Sequence, residues 1–121
     1  MKECRQRVII DYKLDNLNDI IKHSRRNRFL ANKKKQEEME AVAGYISKLK
    51  PVKYYPITIN CIWHIKNIQS DLDNKVLKSI LDQMQKAGII VNDNIKYINT
   101  INNKAIKDVK DYLELEIVEA V

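Results

Sequence analysis

Apolar and polar side chains alternate one for one across "YYPITINCIWHIKN". Ile57, Ile59, Cys61, Trp63 and Ile65 fall on one side, and Thr58, Asn60, His64 and Lys66 on the other. Period two is the mark of a strand with one buried face. From about Asn27 to Leu49 the spacing changes: Met39, Val42, Ala43, Ile46 and Leu49 recur every three or four residues among Lys and Glu, which predicts a helix that Pro51 stops. The same period returns with Leu72, Val76, Leu77, Ile80, Leu81 and Met84, predicting a helix from Leu72 to Ala87 with one face on a sheet and Gly88 as a left-handed C-terminal cap.

The remaining segments are shorter. "QRVIIDYKL" reads as a first strand, and "NLNDIIKHS" fits either a loop or a helical turn. After the second helix come the β-like run "GIIVND", a strand around "NIKYINTI", and a last strand in "YLELEIVEAV", where Leu113, Leu115 and Ile117 alternate with Glu114, Glu116 and Val118. The order β, α, β, α, β, β predicts an α/β fold: a single domain over residues 1–121, with a small mixed β-sheet packed against two main helices.

Length and composition agree, since 121 residues suit one core and 45% apolar with 31% charged residues is a globular composition. No run approaches the roughly 18 apolar residues of a membrane span, and near the start only Val8 to Ile10 is apolar, so a cytoplasmic protein without a membrane partner is expected. Cys4 and Cys61 form no CxxC motif and there is no histidine cluster, which fits a reducing compartment and argues against a zinc site. Cys61, inside the alternating strand, is expected as a buried thiol.

The formal charge of +6 is unevenly spread. No acidic residue occurs from Ile20 to Gln36, where Lys22, Arg25, Arg26, Arg28, Lys33, Lys34 and Lys35 are basic and His23 can become so; a second acid-free stretch runs from Ala41 to Ser70. Such blocks attract polyanions, because neutralised phosphates release condensed counterions, although a helix face can carry the same charges simply as a solvated surface.

Candidate chemistry is concentrated in "SDLDNKVLKSILDQMQKAGIIVND". A helix of 16 residues is roughly 24 Å long, and a six-residue extended return from Gly88 covers roughly 20 Å. If the chain doubles back antiparallel, Asp93 ends near Asp71 and Asp73. Converging carboxylates repel unless neutralised, and Mg²⁺ or Mn²⁺ with oxygen ligands is the natural partner. The same residues also suit plain structural duty, with Ser70, Asp71 or Asp73 capping the helix and Asp93 in the turn "VNDN". A calcium loop is excluded: "DLDNKVLKSILD" has Val76 where the sharp turn requires Gly, and helical periodicity runs through it.

The stretch resembles the signature of RusA-type Holliday junction resolvases, small endonucleases common in bacteriophages and prophages: an Asp-x-Asp-Asn opening, a Lys and then an Asp on the following helix, an Ala-Gly turn and an acidic pair. "LNDIIKHSRRNRFLANKKKQEEMEAVAGYI" resembles the phage-borne branch of that family, so the likeness spans most of the chain. It implies that Asp71, Asp73 and Asp93 are the metal-binding, catalytic carboxylates, with Asn74 and Asp82 in supporting places. Lys78 matches the catalytic Lys, and Lys75 competes with it because the spacing is one residue longer than the commonest form. The acidic pair is Asn92-Asp93 here, so its first member has lost its charge.

The resemblance further implies metal-dependent paired nicks in a four-way DNA junction, made by a homodimer with Mg²⁺, for which Mn²⁺ substitutes, and with no organic cofactor. Metal ions on carboxylates activate water and stabilise a leaving oxygen. Arg25, Arg26, Arg28, Lys33, Lys34 and Lys35 would contact phosphates of the junction arms rather than read bases. Trp63 is expected in the core rather than stacked on a base, Tyr54 or Tyr55 can stack, and His64 faces the opposite side of its strand, open to solvent or DNA contact and not catalytic. Two other classes stay open, a catalytically silent nucleic-acid-binding module and a protein-interaction or regulatory domain, and a nuclease of flaps or forks is a closer rival.

Overall fold

A computed structural model describes residues 3–120. Four strands and three helices form two layers: β1 (Glu3–Ile10), α1 (Leu17–Arg26), α2 (Arg28–Ile46), β2 (Ile57–Ile65), α3 (Lys78–Lys86), β3 (Ile98–Lys107) and β4 (Tyr112–Ala120), with a short 3-10 helix at Leu72–Asn74. The sheet order is β1-β4-β2-β3. β4 runs antiparallel to both β1 and β2, and β2 is parallel to β3, so the α/β fold with a mixed sheet is observed.

The predicted alternation explains the layering. Ile57, Ile59, Cys61 and Trp63 of β2 and Leu113, Leu115 and Ile117 of β4 point into one core with Val42 and Ile46 of α2 and Ile80 and Met84 of α3. Trp63 is in that core, its Nε1–H donating to Asn103 Oδ1 at 2.9 Å. Cys61 is buried as expected, and burial pushes its thiol up to about 12. The opposite face of the sheet is polar: Arg7 and Asn60 both donate to Glu116, and Asn102 donates to Asn60, a row that crosses all four strands.

"NLNDIIKHS" belongs to a ten-residue helix, α1. Its start is held by a capping box, in which Asn16 Oδ1 accepts from the Asp19 N–H at 2.9 Å and Asp19 Oδ2 accepts from the Asn16 N–H at 3.2 Å. Asn27 closes α1 in an extended conformation and caps α2, accepting from the Phe29 N–H.

The expected helix from Leu72 to Ala87 is corrected at its start, because α3 begins only at Lys78. Asp71, Asp73 and Asn74 are residues whose side chains favour local turns over helix interior, and they form the 3-10 turn, followed by an extended Lys75. Leu72 is therefore half-exposed rather than packed on the sheet, and Leu77 is the first buried position. At the other end the expectation is met: Gly88 has φ +76°, the Gly88 N–H donates to Gln85 O and the Ile89 N–H to Met84 O. The β-like reading of "GIIVND" is also corrected. Ile89 and Ile90 are buried, but in an irregular segment tied down by the Val52 N–H donating to Ile89 O, and β3 starts at Ile98, after a turn in which Asn94 O accepts from the Tyr97 and Ile98 N–H groups.

Among the described residues no helix is long and apolar enough to cross a membrane.

Candidate functional site

α1, the first half of α2 and the first turn of α3 enclose a cleft of about 140 Å³, lined by Asp15, His23, Ser24, Lys34, Lys35, Glu38, Lys78 and Ser79 among others. Lys34 and Lys35 come from the acid-free block and Lys78 from the acidic motif, so two groups of expected site residues share one wall. Lys75, the rival of Lys78, lies elsewhere: it lines a smaller hollow with Tyr12, Trp63, His64 and Tyr112 at the end of the sheet.

Outside the cleft the cationic face is open. Lys22, Arg25, Arg26, Arg28, Lys33 and Lys34 are exposed, and none makes an ion pair among the described residues. α1 buries no residue, so its charges face solvent on all sides that α2 leaves free. Lys35 differs, being half-buried and paired with Asp82 of α3. That pair links α2 to α3, which gives Asp82 a structural partner.

The floor of the cleft is Glu38, only 8% exposed. Its Oε2 accepts from the Asp15 N–H at 2.8 Å, and Ser79 hydrogen-bonds its carboxylate. α3 has no side-chain cap of its own, so Glu38 brings negative charge from another helix to its first turn, where the dipole favours it. Burial nevertheless raises the pKa of Glu38; the bonds to Asp15 and Ser79 pull the other way and are outweighed. Asp15 also meets His23, Oδ2 to Nε2 at 3.6 Å. Glu38 was missed in reading the chain. Its signal was present, since Glu38 stands four residues before Val42 and eight before Ile46, a charge on the apolar stripe of α2.

His64 is buried in the sheet, with Nδ1 2.8 Å from Asp108 Oδ2, Nε2 3.1 Å from Glu114 Oε1, and its ring stacked on Tyr112 at 3.8 Å between centroids. Both ring nitrogens are engaged by carboxylates, and the ring is buried rather than open to solvent or DNA as expected. The Val109 N–H and His64 hold the Asp108 carboxyl below its ordinary value.

Asp71, Asp73 and Asp93 are exposed, and no hydrogen bond or ion pair engages their carboxylates among the described residues. Topology separates them. Asp71 and Asp73 follow the C-terminal end of β2; their neighbours Ser70 and Lys75 lie against the ends of β3 and β2 at Lys107 and Ile65. α3 then carries the chain back along the sheet, because β2 and β3 are parallel and need a crossover. Asp93 thus sits before Ile98, at the end where the Val91 N–H donates to Tyr55 Oη and the Ile57 N–H to Tyr97 O. The nine residues of β2 put roughly 25–30 Å between the two ends. The extended return along the helix begins only with β3 at Ile98, beyond Asp93, so the three carboxylates do not meet within one chain; among the described residues no group of three or more His, Cys, Asp or Glu side chains stands ready to hold a metal ion. The side chain of Asn74 lies outside the described residues.

No family model matches the chain, and no match was found among curated proteins.

Proposed function

We propose that the protein binds branched DNA through the cationic face of α1 and α2 and cuts it as a structure-specific, Mg²⁺-dependent endonuclease, the activity implied by the resemblance to RusA-type resolvases. The observation that carries the reading is the set of six exposed cations with no ion-pair partner among the described residues, Lys22, Arg25, Arg26, Arg28, Lys33 and Lys34, beside a cleft that Lys34 and Lys35 share with Lys78. Unneutralised Lys and Arg on one face raise the local concentration of phosphate-bearing ligands, and their contacts set orientation rather than sequence.

Asp71 and Asp73 are exposed on the turn that leads into α3, with no hydrogen bond or ion pair to their carboxylates among the described residues, and Mg²⁺ is commonly held by one or two carboxylates together with substrate phosphates. One chain alone does not offer a metal the three carboxylates of the family signature. The part left to the chain's own side chains is phosphate binding, by Lys78 at the cleft and by the α1–α2 cations around it.

The test is cleavage of a labelled synthetic four-way junction beside duplex, flap and fork controls, with Mg²⁺, Mn²⁺ or EDTA, using wild type and Asp73→Asn. Metal-dependent paired nicks on the junction, reduced at least a hundredfold in the variant, are expected. Cutting of flaps or forks in preference to junctions would reassign the substrate; tight, salt-sensitive binding with no cutting would leave a DNA-binding module and remove the enzyme.

A further inference from the structure

The second acid-free stretch, Ala41 to Ser70, has no part in the function proposed above, yet its early residues build a surface of their own. After α2 the chain runs alongside β1, held there by Gln6, whose side chain donates to Lys50 O at 2.8 Å and accepts from the Lys50 N–H at 2.7 Å. Between that segment and β1 lies an open groove of about 710 Å³, whose walls carry Arg5, Arg7, Lys48, Lys50, Lys53 and Tyr54, all exposed. Clefts of roughly 300–1,000 Å³ are the usual size for ligand sites. Arg5 and Arg7 are bonded to Glu116, whereas Lys48, Lys50 and Lys53 make no ion pair among the described residues. One carboxylate, Glu119, also lines the groove, but it is buried and turned to the backbone, accepting from the Lys53 N–H and from the Tyr54 N–H at 3.0 Å. Glu119 thus fixes the chain at Lys53 and Tyr54 from below.

The two neighbouring tyrosines differ. Tyr55 is used internally, its Oη accepting from the Val91 N–H and its ring set edge-on to Tyr97 at 5.0 Å between centroids. Tyr54 is 50% exposed, and its ring packs on no other aromatic ring among the described residues. We propose that this groove binds a single-stranded nucleic acid, with Lys48, Lys50 and Lys53 on its phosphates and Tyr54 stacked on one of its bases. Cations alone would serve any polyanion. A free ring beside them selects an unpaired strand, because a duplex keeps its base faces inside its own stack and the carboxylates of an acidic peptide present no aromatic face. The groove is also distinct from the cationic face of α1 and α2. The nineteen residues of α2, roughly 28 Å of helix, lie between Arg28 and the segment that carries Lys48. The inference does not depend on the cutting activity proposed above.

The test is fluorescence anisotropy with the full chain and no metal, using labelled oligodeoxythymidylate and oligouridylate of about 12 nucleotides and an abasic oligomer of the same length and charge. Wild type is expected to bind the base-bearing strands at least about fivefold tighter than the abasic one, and the tighter of the two tells whether the strand is DNA or RNA. Tyr54→Ala is expected to weaken binding of the base-bearing strand by about fivefold to a hundredfold, and Tyr54→Phe, which keeps the ring, to retain it. Lys48→Ala/Lys50→Ala/Lys53→Ala is expected to make the slope of log affinity against log salt shallower by about 2. Those lysines are exposed, so their variant tests the groove whatever Tyr54→Ala does to stability. The Tyr54→Ala loss is expected to persist in an Arg25→Ala/Arg26→Ala/Arg28→Ala background, because distant sites act independently. Equal affinity for abasic and base-bearing strands, wild-type binding by Tyr54→Ala, displacement of the strand by polyglutamate as readily as by unlabelled oligomer, or disappearance of the Tyr54→Ala loss in the arginine background overturns the proposal. If wild type cuts no junction, the nuclease reading fails while these measurements still decide the groove.

Discussion

Glu38 stands on the apolar stripe of α2, and the fold accommodates it with two hydrogen bonds and little solvent. Its folded pKa lies above the ordinary 4.5. Below 4.5 it is protonated whether the chain is folded or not; as pH rises through the raised value the unfolded chain releases its proton more readily, so stability falls. Glu38→Gln removes that slope. The expected outcome in urea unfolding is that wild type loses stability relative to Glu38→Gln between pH 4 and pH 7; a constant difference would contradict the burial argument. Gly88 is the other position where one residue decides local structure. At φ +76°, with nothing within 4 Å of an added Cβ, Gly88→Ala costs backbone strain alone, about 1 kcal/mol by urea unfolding. Gly88 was legible because a glycine just past a periodic segment has one common use. Glu38 left only its place on the apolar stripe as a trace, because a charge on a helix reads as solvated until the neighbouring helix is in place.

At the level of elements, the period-two segments β2 and β4 and the helical stripe of α2 were legible, each buried on the predicted side. α3 was legible in its second half only. Leu72 and Val76 continue the apolar period, yet the turn-forming Asp71, Asp73 and Asn74 hold the preceding residues out of the helix. Two substitutions separate the expected helix from the observed one. Ile80→Ala, at a fully buried position, is expected to cost about 2–5 kcal/mol. Leu72→Ala, on a half-exposed turn, is expected to change urea stability by less than about 0.5 kcal/mol. Comparable losses at the two sites would mean that Leu72 packs as the unbroken helix requires.

The whole molecule explains why the acidic trio was the least legible feature. Its convergence was inferred from a helix and an extended return that immediately follow one another; the helix is shorter, and the return along it begins only at Ile98, beyond Asp93. Parallel β2 and β3 force the crossover through α3, and that crossover delivers Asp93 to the far end of the sheet from Asp71 and Asp73. Strand pairing between residues forty apart leaves no local trace in composition or period. The cationic face survives the same step intact, because Lys22 to Lys34 lie on two consecutive helices joined at Asn27, where short-range order keeps them together.

That face is the central claim, and the salt dependence of binding tests it most directly. Four-way junction affinity would be measured from low to moderate salt for wild type and for Arg25→Ala/Arg26→Ala/Arg28→Ala, without metal so that binding alone is read. If the three arginines each neutralise a phosphate, the slope of log affinity against log salt becomes shallower by about 2–3 in the variant. An unchanged slope, with wild-type affinity retained, would mean that DNA does not dock on α1 and α2.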